Sequence, residues 1–180
     1  MDKTYADTVR LLLAVAPDVF ANDIFAMKGG TAINLFVRDM PRLSVDIDVV
    51  YLPWQTPRDE ALQAINQELA AIATRVAPLG VQTRLVRAKD LGDTKLIVEN
   101  DASQVKIEVN VVFRGSVLPV ERRPLSAKTS DLFGVEFELP VLAPDELYAS
   151  KLVAALDRQH PRDLFDVWQL YESGDISDGM

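Results

Sequence analysis

The sequence lacks cysteine altogether and contains a single histidine, His160. Without cysteine there is no disulfide framework, cysteine nucleophile, iron–sulfur cluster or thiolate zinc site. One histidine also excludes a multi-histidine metal site within a single chain. Catalysis by this chain would therefore depend on carboxylates, lysine, arginine, hydroxyl groups or backbone amides.

Long apolar runs and an excess of positive charge are missing as well. No uninterrupted apolar stretch approaches the roughly 18 residues that a membrane span needs. Residues 1–7 carry acids rather than the cationic segment of a signal peptide, so we expect a cytoplasmic protein. The net charge of −8 disfavours broad coating of nucleic acid, which needs a basic surface, but leaves room for a local basic patch.

The order of predicted elements indicates an α/β (α+β) fold in one compact unit. Apolar periodicity predicts helices over residues 4–16 (ending at Pro17), 32–37, from Pro57 onward, 144–156 and 162–171. Apolar or alternating stretches predict strands over residues 24–27, 45–52, 81–86, 95–98, 105–113 and 135–139. Residues 114–134 show no regular pattern.

The clearest chemical signal is a pair of aspartates in the segment SVDID, residues 44–48. Strand alternation places Ser44, Asp46 and Asp48 on one face. Two carboxylates two residues apart lie roughly 7 Å from each other at their Cα atoms and can converge on one cation or bracket two. A solvent-facing edge strand would give the same pattern.

Two neighbouring features favour the cation hypothesis. Gly29-Gly30 leads into a predicted helix, and such a turn offers free backbone N–H groups to phosphate oxygens, although it is also an ordinary tight turn. The alternating strand over residues 105–111 places Glu108 on its polar face, where it would supply a third oxygen ligand or pair with Lys106.

The two C-terminal helices leave two alternatives open. Lys151 lies at the edge of an apolar stripe and either projects into a cleft or extends to solvent. In the last helix, Asp163 and Asp166 lie opposite the apolar residues, which predicts a solvated face with an Arg162–Asp166 pair.

Motifs at both ends of the chain resemble one family. These are KGGTA at residues 28–32, RLSVDID at 42–48, the helix at 146–158 and RDLFDV at 162–167. They are similar to the motifs of the AbiEii/AbiGii-type (MenT-like) nucleotidyltransferases, toxins of toxin–antitoxin and abortive-infection systems. The resemblance spans residues 24–172.

The resemblance implies a polymerase-beta-like nucleotidyltransferase fold, with a mixed twisted sheet flanked by helices. Residues 1–140 would form the nucleotidyltransferase core, and residues 141–180 a helical portion completing the active-site cleft. The implied cofactor is Mg²⁺ or Mn²⁺, and the substrate is a nucleoside triphosphate. The implied roles are metal binding by Asp46, Asp48 and Glu108, phosphate contact by Gly29, Gly30, Thr31 and Ser44, triphosphate neutralisation by Lys151, and completion of the site by Asp166 or Asp163.

The implied reaction moves a nucleoside monophosphate to a hydroxyl, expected to be the 3′ acceptor end of tRNA, and the implied partner is a cognate antitoxin. A small-molecule (aminoglycoside-type) acceptor and an inactive nucleotide-binding module are the alternatives. The sequence contains two groups of basic residues, which would either bind the end of an RNA or form ordinary basic loops. The first group is Arg114, Arg122, Arg123 and Lys128, and the second is Arg84, Arg87 and Lys89.

Overall fold

The structure, a computed structural model, describes residues 2–88 and 92–177. Its helices are α1 (Lys3–Val19), α2 (Gly29–Ala32, continuing into a π-helical turn, Ile33–Val37), α3 (Arg58–Val76, followed by a 3₁₀ turn, Ala77–Leu79), α4 (Ala127–Phe133), α5 (Pro144–Arg158) and α6 (Pro161–Ser173). Its strands are β1 (Phe25–Lys28), β2 (Ile47–Tyr51), β3 (Gln82–Ala88), β4 (Gly92–Glu99), β5 (Gln104–Arg114), β6 (Glu121–Pro124) and β7 (Glu138–Val141).

The strands that the structure describes form one seven-stranded sheet in the order β3-β4-β5-β2-β1-β7-β6. Strand β2 lies at its centre, parallel to β5 and antiparallel to β1. Strand β1 is parallel to β7, so the sheet is mixed. This mixed sheet with its helices confirms the predicted α/β (α+β) class. The division at residue 140 stays a prediction.

One face of the sheet is closed by the core and the other carries the polar residues. The apolar sides of α1 and α3 pack against the sheet on the core side. The strand side chains buried there include Met27, Ile47, Val49 and Ile107. Alternation along β2 and β5 turns Asp48 and Glu108 to the opposite face. Helices α5 and α6 pack together, and α5 contacts α2 beside that polar face.

Three expectations about local structure were wrong. Helix α1 continues past Pro17 to Val19, because a proline in the last turn removes a single hydrogen bond and the Phe20 N–H still bonds to the Ala16 carbonyl (3.2 Å). The region 114–134 contains β6 and α4, whose polar sequences hide their periodicity. The last strand starts at Glu138 rather than Val135 because it pairs with β6.

None of the helices within the described ranges is long and apolar enough to cross a membrane.

The buried face of β5 provides the first prediction. We expect Ile107→Ala to lower the free energy of unfolding by about 2–5 kcal/mol, because Ile107 is fully buried and truncation leaves a cavity. The control Val117→Ala removes a side chain that is 91% exposed and should change it by less than about 0.5 kcal/mol. Urea denaturation measures both, and equal effects would contradict the burial of Ile107 in the core.

Candidate active site

A row of charged residues crosses the centre of the sheet on its polar face. Lys28 of β1 lies opposite Asp48 of β2, and Asp48 lies opposite Glu108 of β5. Glu108 in turn lies opposite Lys95 of β4, and Lys95 Nζ is 3.0 Å from Glu108 Oε1. The parallel pairing of β2 with β5 is therefore what brings Glu108 beside the aspartates.

Asp48 is the most perturbed group in this row. Burial raises the pKa of Asp48 to about 6, and the neighbouring carboxylates of Asp46 and Glu108 act in the same direction. The positive charges of Lys28 and Lys151 oppose this rise. The protein thus concentrates negative charge at a partly enclosed position, which a bound cation would stabilise.

The donor chemistry at this position fits a hard divalent cation. Asp46 and Asp48 supply carboxylate oxygens, the ligands that Mg²⁺ and Mn²⁺ prefer, and Mg²⁺ commonly fills its other positions with water and substrate phosphate. Glu108 is placed next to them but is paired with Lys95. Over residues 2–88 and 92–177, no group of three acidic or histidine side chains is arranged to hold a metal ion. Metal binding by Asp46, Asp48 and Glu108 stays a prediction.

The Gly29-Gly30 turn lets two charged side chains approach the backbone. Gly29 has φ +78°, and a Cβ there would collide with Asp48 Oδ2. A Cβ at Gly30 would collide with Arg42 Nη2 and lie 3.2 Å from Ser44 Oγ. The two glycines therefore have a steric function in this structure, and their contact with phosphates stays a prediction.

Two hydroxyl groups meet next to this turn. Thr31 Oγ1 and Ser44 Oγ are 2.9 Å apart, and Thr31 is buried at the start of the helical segment. The loop that carries Ser44 is fixed by Arg42, whose backbone N–H donates to Asn34 Oδ1 (3.3 Å). The structure thus brings together the four residues expected to contact phosphate: Gly29, Gly30, Thr31 and Ser44.

Five charged residues form an ion-pair cluster between α5, α6 and the loop before β2: Arg42, Lys151, Arg158, Asp163 and Asp166. Arg42 donates to Asp166 through Nε (2.6 Å) and Nη2 (2.7 Å). Lys151 Nζ lies 2.8 Å from Asp163 Oδ1 and 3.1 Å from Asp166 Oδ2, and Arg158 Nη2 donates to Asp163 (2.8 Å). Both oxygens of Asp166 are engaged by cations, so this carboxylate is arranged to hold Arg42 and Lys151.

The cluster also sets the electrostatics of its acids. Burial alone would raise the pKa of Asp163, but the hydrogen bonds and charges of Lys151 and Arg158 hold that pKa below its ordinary value. Asp163 and Asp166 are both only 3% exposed. The Asp163 carboxylate therefore stays ionised and orients Lys151 and Arg158.

The solvated-face prediction for α6, made from periodicity alone, was wrong. The sequence pattern places Leu164, Trp168 and Tyr171 inside and the aspartates in solvent, but these three side chains are 50–70% exposed and Asp163 and Asp166 are buried. Asp166 pairs with Arg42, not with Arg162. The ion pairs offset the cost of burying the acids, which local periodicity does not reveal. Lys151, 8% exposed, points inward as the cleft alternative predicts.

Three residues of the site were not predicted from the sequence pattern. Lys28 faces Asp48, and burial lowers the pKa of its ammonium group although Asp48 and Glu146 act in the opposite direction. Arg42 and Arg158 bind the buried acids. All three lie inside the motifs quoted above, so their positions in those motifs were the available signal.

The first basic group is largely engaged within the protein. Arg114, Arg122 and Lys128 donate to the backbone carbonyls of Thr56, Glu138 and Asp39. Arg123 pairs with Glu121. In the second group Arg84 is exposed on β3, whereas Lys89 and the side chain of Arg87 lie outside the described residues.

The steric function of Gly29 gives a prediction. Gly29→Ala and Gly80→Ala both place a side chain at a positive φ, at a cost of about 1 kcal/mol, but a Cβ at Gly80 meets nothing within 4 Å. We expect Gly29→Ala to reduce the free energy of unfolding clearly more than Gly80→Ala, because only Gly29 approaches Asp48. Chemical denaturation measures the difference, and equal losses would argue against this close approach.

The pKa of Asp48 gives a second prediction. In the metal-free protein the folded state binds the Asp48 proton more tightly than the unfolded state, so this group lowers stability as pH rises from about 4 to about 6. Asp48→Asn should therefore be more stable than wild type by about 3 kcal/mol at pH 7, and the gain should shrink toward pH 4. Denaturation in chelator at several pH values tests this, with exposed Asp101→Asn as control; a gain independent of pH would contradict it.

Comparison with known proteins identifies a family for this chain. Residues 10–179 match the family model described as "Nucleotidyl transferase AbiEii toxin, Type IV TA system". Among curated proteins, no sequence matches the chain significantly.

A solved structure shows the same fold. MenT4, a nucleotidyltransferase toxin from Mycobacterium tuberculosis H37Rv, superimposes with a TM-score of 0.59 and 23% sequence identity, over 92% of this chain and 59% of MenT4. The chain thus spans about three fifths of the length of that relative. Since the family model covers nearly all of its residues, the chain belongs to the AbiEii family of type IV nucleotidyltransferase toxins.

Proposed function

We propose that this protein transfers a nucleoside monophosphate from a nucleoside triphosphate to a hydroxyl group with the help of a divalent metal ion. The observation that carries the proposal is the Asp46–Asp48 pair at the centre of the sheet. Buried Lys151 is close enough for its positive charge to oppose the rise in the pKa of Asp48. Family membership supports the same reaction class.

The proposed cofactor is Mg²⁺, with Mn²⁺ as the alternative, held by Asp46 and Asp48 and by Glu108 if that side chain leaves Lys95. Such an ion supplies charge stabilisation for the phosphoryl group and lowers the pKa of a bound hydroxyl. In the transfer, the acceptor oxygen bonds to the α-phosphorus as the bond to the leaving pyrophosphate breaks.

The remaining site residues bind and orient the triphosphate. Thr31 and Ser44 direct their paired hydroxyls, and Gly29 and Gly30 their backbone amides, toward phosphate oxygens. Lys151 neutralises triphosphate charge, which preorganised cations do most effectively when they are held rigidly. Asp163 and Asp166 hold Lys151 in place from two sides.

The proposed acceptor is the 3′ end of tRNA, and the proposed setting is the cytoplasm. Modified acceptor ends would stop translation, so expression would arrest growth. The type IV toxin–antitoxin family implies a cognate antitoxin as the natural partner.

Incubation with α-labelled triphosphates, Mg²⁺ and total RNA tests this function. We expect wild type to label tRNA, and Asp48→Asn to reduce labelling by about 100-fold or more because a metal ligand and its charge are lost. The control Asp101→Asn replaces an exposed aspartate and should label as wild type does. Growth arrest on expression should follow the same order.

Other outcomes distinguish the alternatives. Triphosphate consumption without labelled RNA, but with a modified aminoglycoside, would replace the tRNA acceptor by a small molecule. Triphosphate binding without turnover by folded wild type would indicate an inactive binding module. Labelling by Asp48→Asn at the wild-type rate would contradict the active site itself.

A further inference from the structure

The polar face of β3, β4 and β5 adjoins the candidate metal site and carries exposed cations on either side of the buried Ile97. Ile47 lies opposite Ile107 on the parallel strands, so Lys106 is the β5 residue next to Asp46. Lys106 lies opposite Ile97, and Ile97 lies opposite Arg84. Because facing residues in register share a face, Lys106, Ile97 and Arg84 form a row that leads away from Asp46 across three strands.

Within the described residues, other side chains do not engage the two cations of this row. Lys106 and Arg84 are both exposed. Neither makes an ion pair or side-chain hydrogen bond with another residue in the described ranges, in contrast to Arg114, Arg122, Arg123 and Lys128. Two exposed arginine and lysine side chains beside a transferase centre are free to bind an external anion.

Two acids on the same face already have partners. Glu108 pairs with Lys95 (3.0 Å), and Glu99 accepts from Gln104 Nε2 (2.9 Å). The positive charge of Lys95 offsets the negative charge of Glu108 and so reduces the repulsion that a polyanion would meet on this face. Lys106 and Arg84 therefore give the row a local positive character within a protein of net charge −8.

We propose that the face of β3–β5 binds the single-stranded 3′ end of an acceptor RNA, with Lys106 and Arg84 contacting its phosphates. The terminal hydroxyl then lies at Asp46 and Asp48, and the preceding nucleotides cross β5, β4 and β3. Adjacent strands are about 4.8 Å apart, so the Cα atoms of Lys106 and Arg84 lie about 10 Å apart and their side chains reach different phosphates. This inference rests on the proposed function, because it places the acceptor of that reaction.

The test uses a fluorescent 12-nucleotide single-stranded RNA with a free 3′ hydroxyl, without triphosphate. Lys106→Gln and Arg84→Gln should each weaken binding several-fold and reduce the slope of log Kd against log salt by about 0.7, the value for one phosphate contact on a single strand. The matched control is Arg58→Gln, an exposed residue at the start of α3 on the other side of the sheet, which should bind as wild type does.

A second measurement separates the two proposals. Magnesium–triphosphate binding should be unchanged in Lys106→Gln and Arg84→Gln, while the KM for RNA in the labelling reaction rises. If both variants kept the wild-type RNA affinity and salt slope, the proposed RNA-binding surface would be refuted. A wild-type protein that binds no RNA would refute it as well. A wild type that binds RNA through these residues but transfers no nucleotide would leave the surface standing and refute the proposed function.

Discussion

The central constraint on this structure is the electrostatic repulsion around Asp48. A carboxylate in the middle of a seven-stranded sheet, with Asp46 and Glu108 as neighbours, is difficult to keep ionised, and its pKa rises to about 6. The surrounding sequence limits that cost. Lys28 lies opposite Asp48, and Gly29 provides the space for its carboxylate. A divalent cation would remove the remaining repulsion, and we propose that binding one is the function of this arrangement.

The C-terminal helices also bury a charged group and surround it with partners, but here the central group is a cation and its partners are acids. Lys151 is buried beside the polar face and is held by Asp163 and Asp166, which are themselves bound by Arg158 and Arg42. Removing one member would leave a buried charge without its partner, so the cluster acts as a unit. Its geometry fixes the Lys151 ammonium group relative to β2. We propose that its acids support the reaction by holding cations rather than by binding metal.

Local patterns predicted β2, which carries Asp48 and starts directly after Asp46, because alternation is a property of neighbouring residues. They also predicted α3 and β5, whose apolar faces are regular. The rotation of α6 was not predictable in this way, since Asp166 is buried by an arginine 124 positions earlier in the chain. Likewise, β6 and α4 are polar segments stabilised by pairing and capping, and periodicity does not detect them.

The account depends most directly on cation binding by the Asp46–Asp48 pair. Electron paramagnetic resonance of Mn²⁺, titrated with a non-hydrolysable triphosphate, measures that binding without any acceptor. The account predicts a Mn²⁺–triphosphate complex in wild type that is weakened about tenfold or more by Asp46→Asn and by Asp48→Asn. Wild-type affinity in both substituted proteins, shown to be folded, would contradict it.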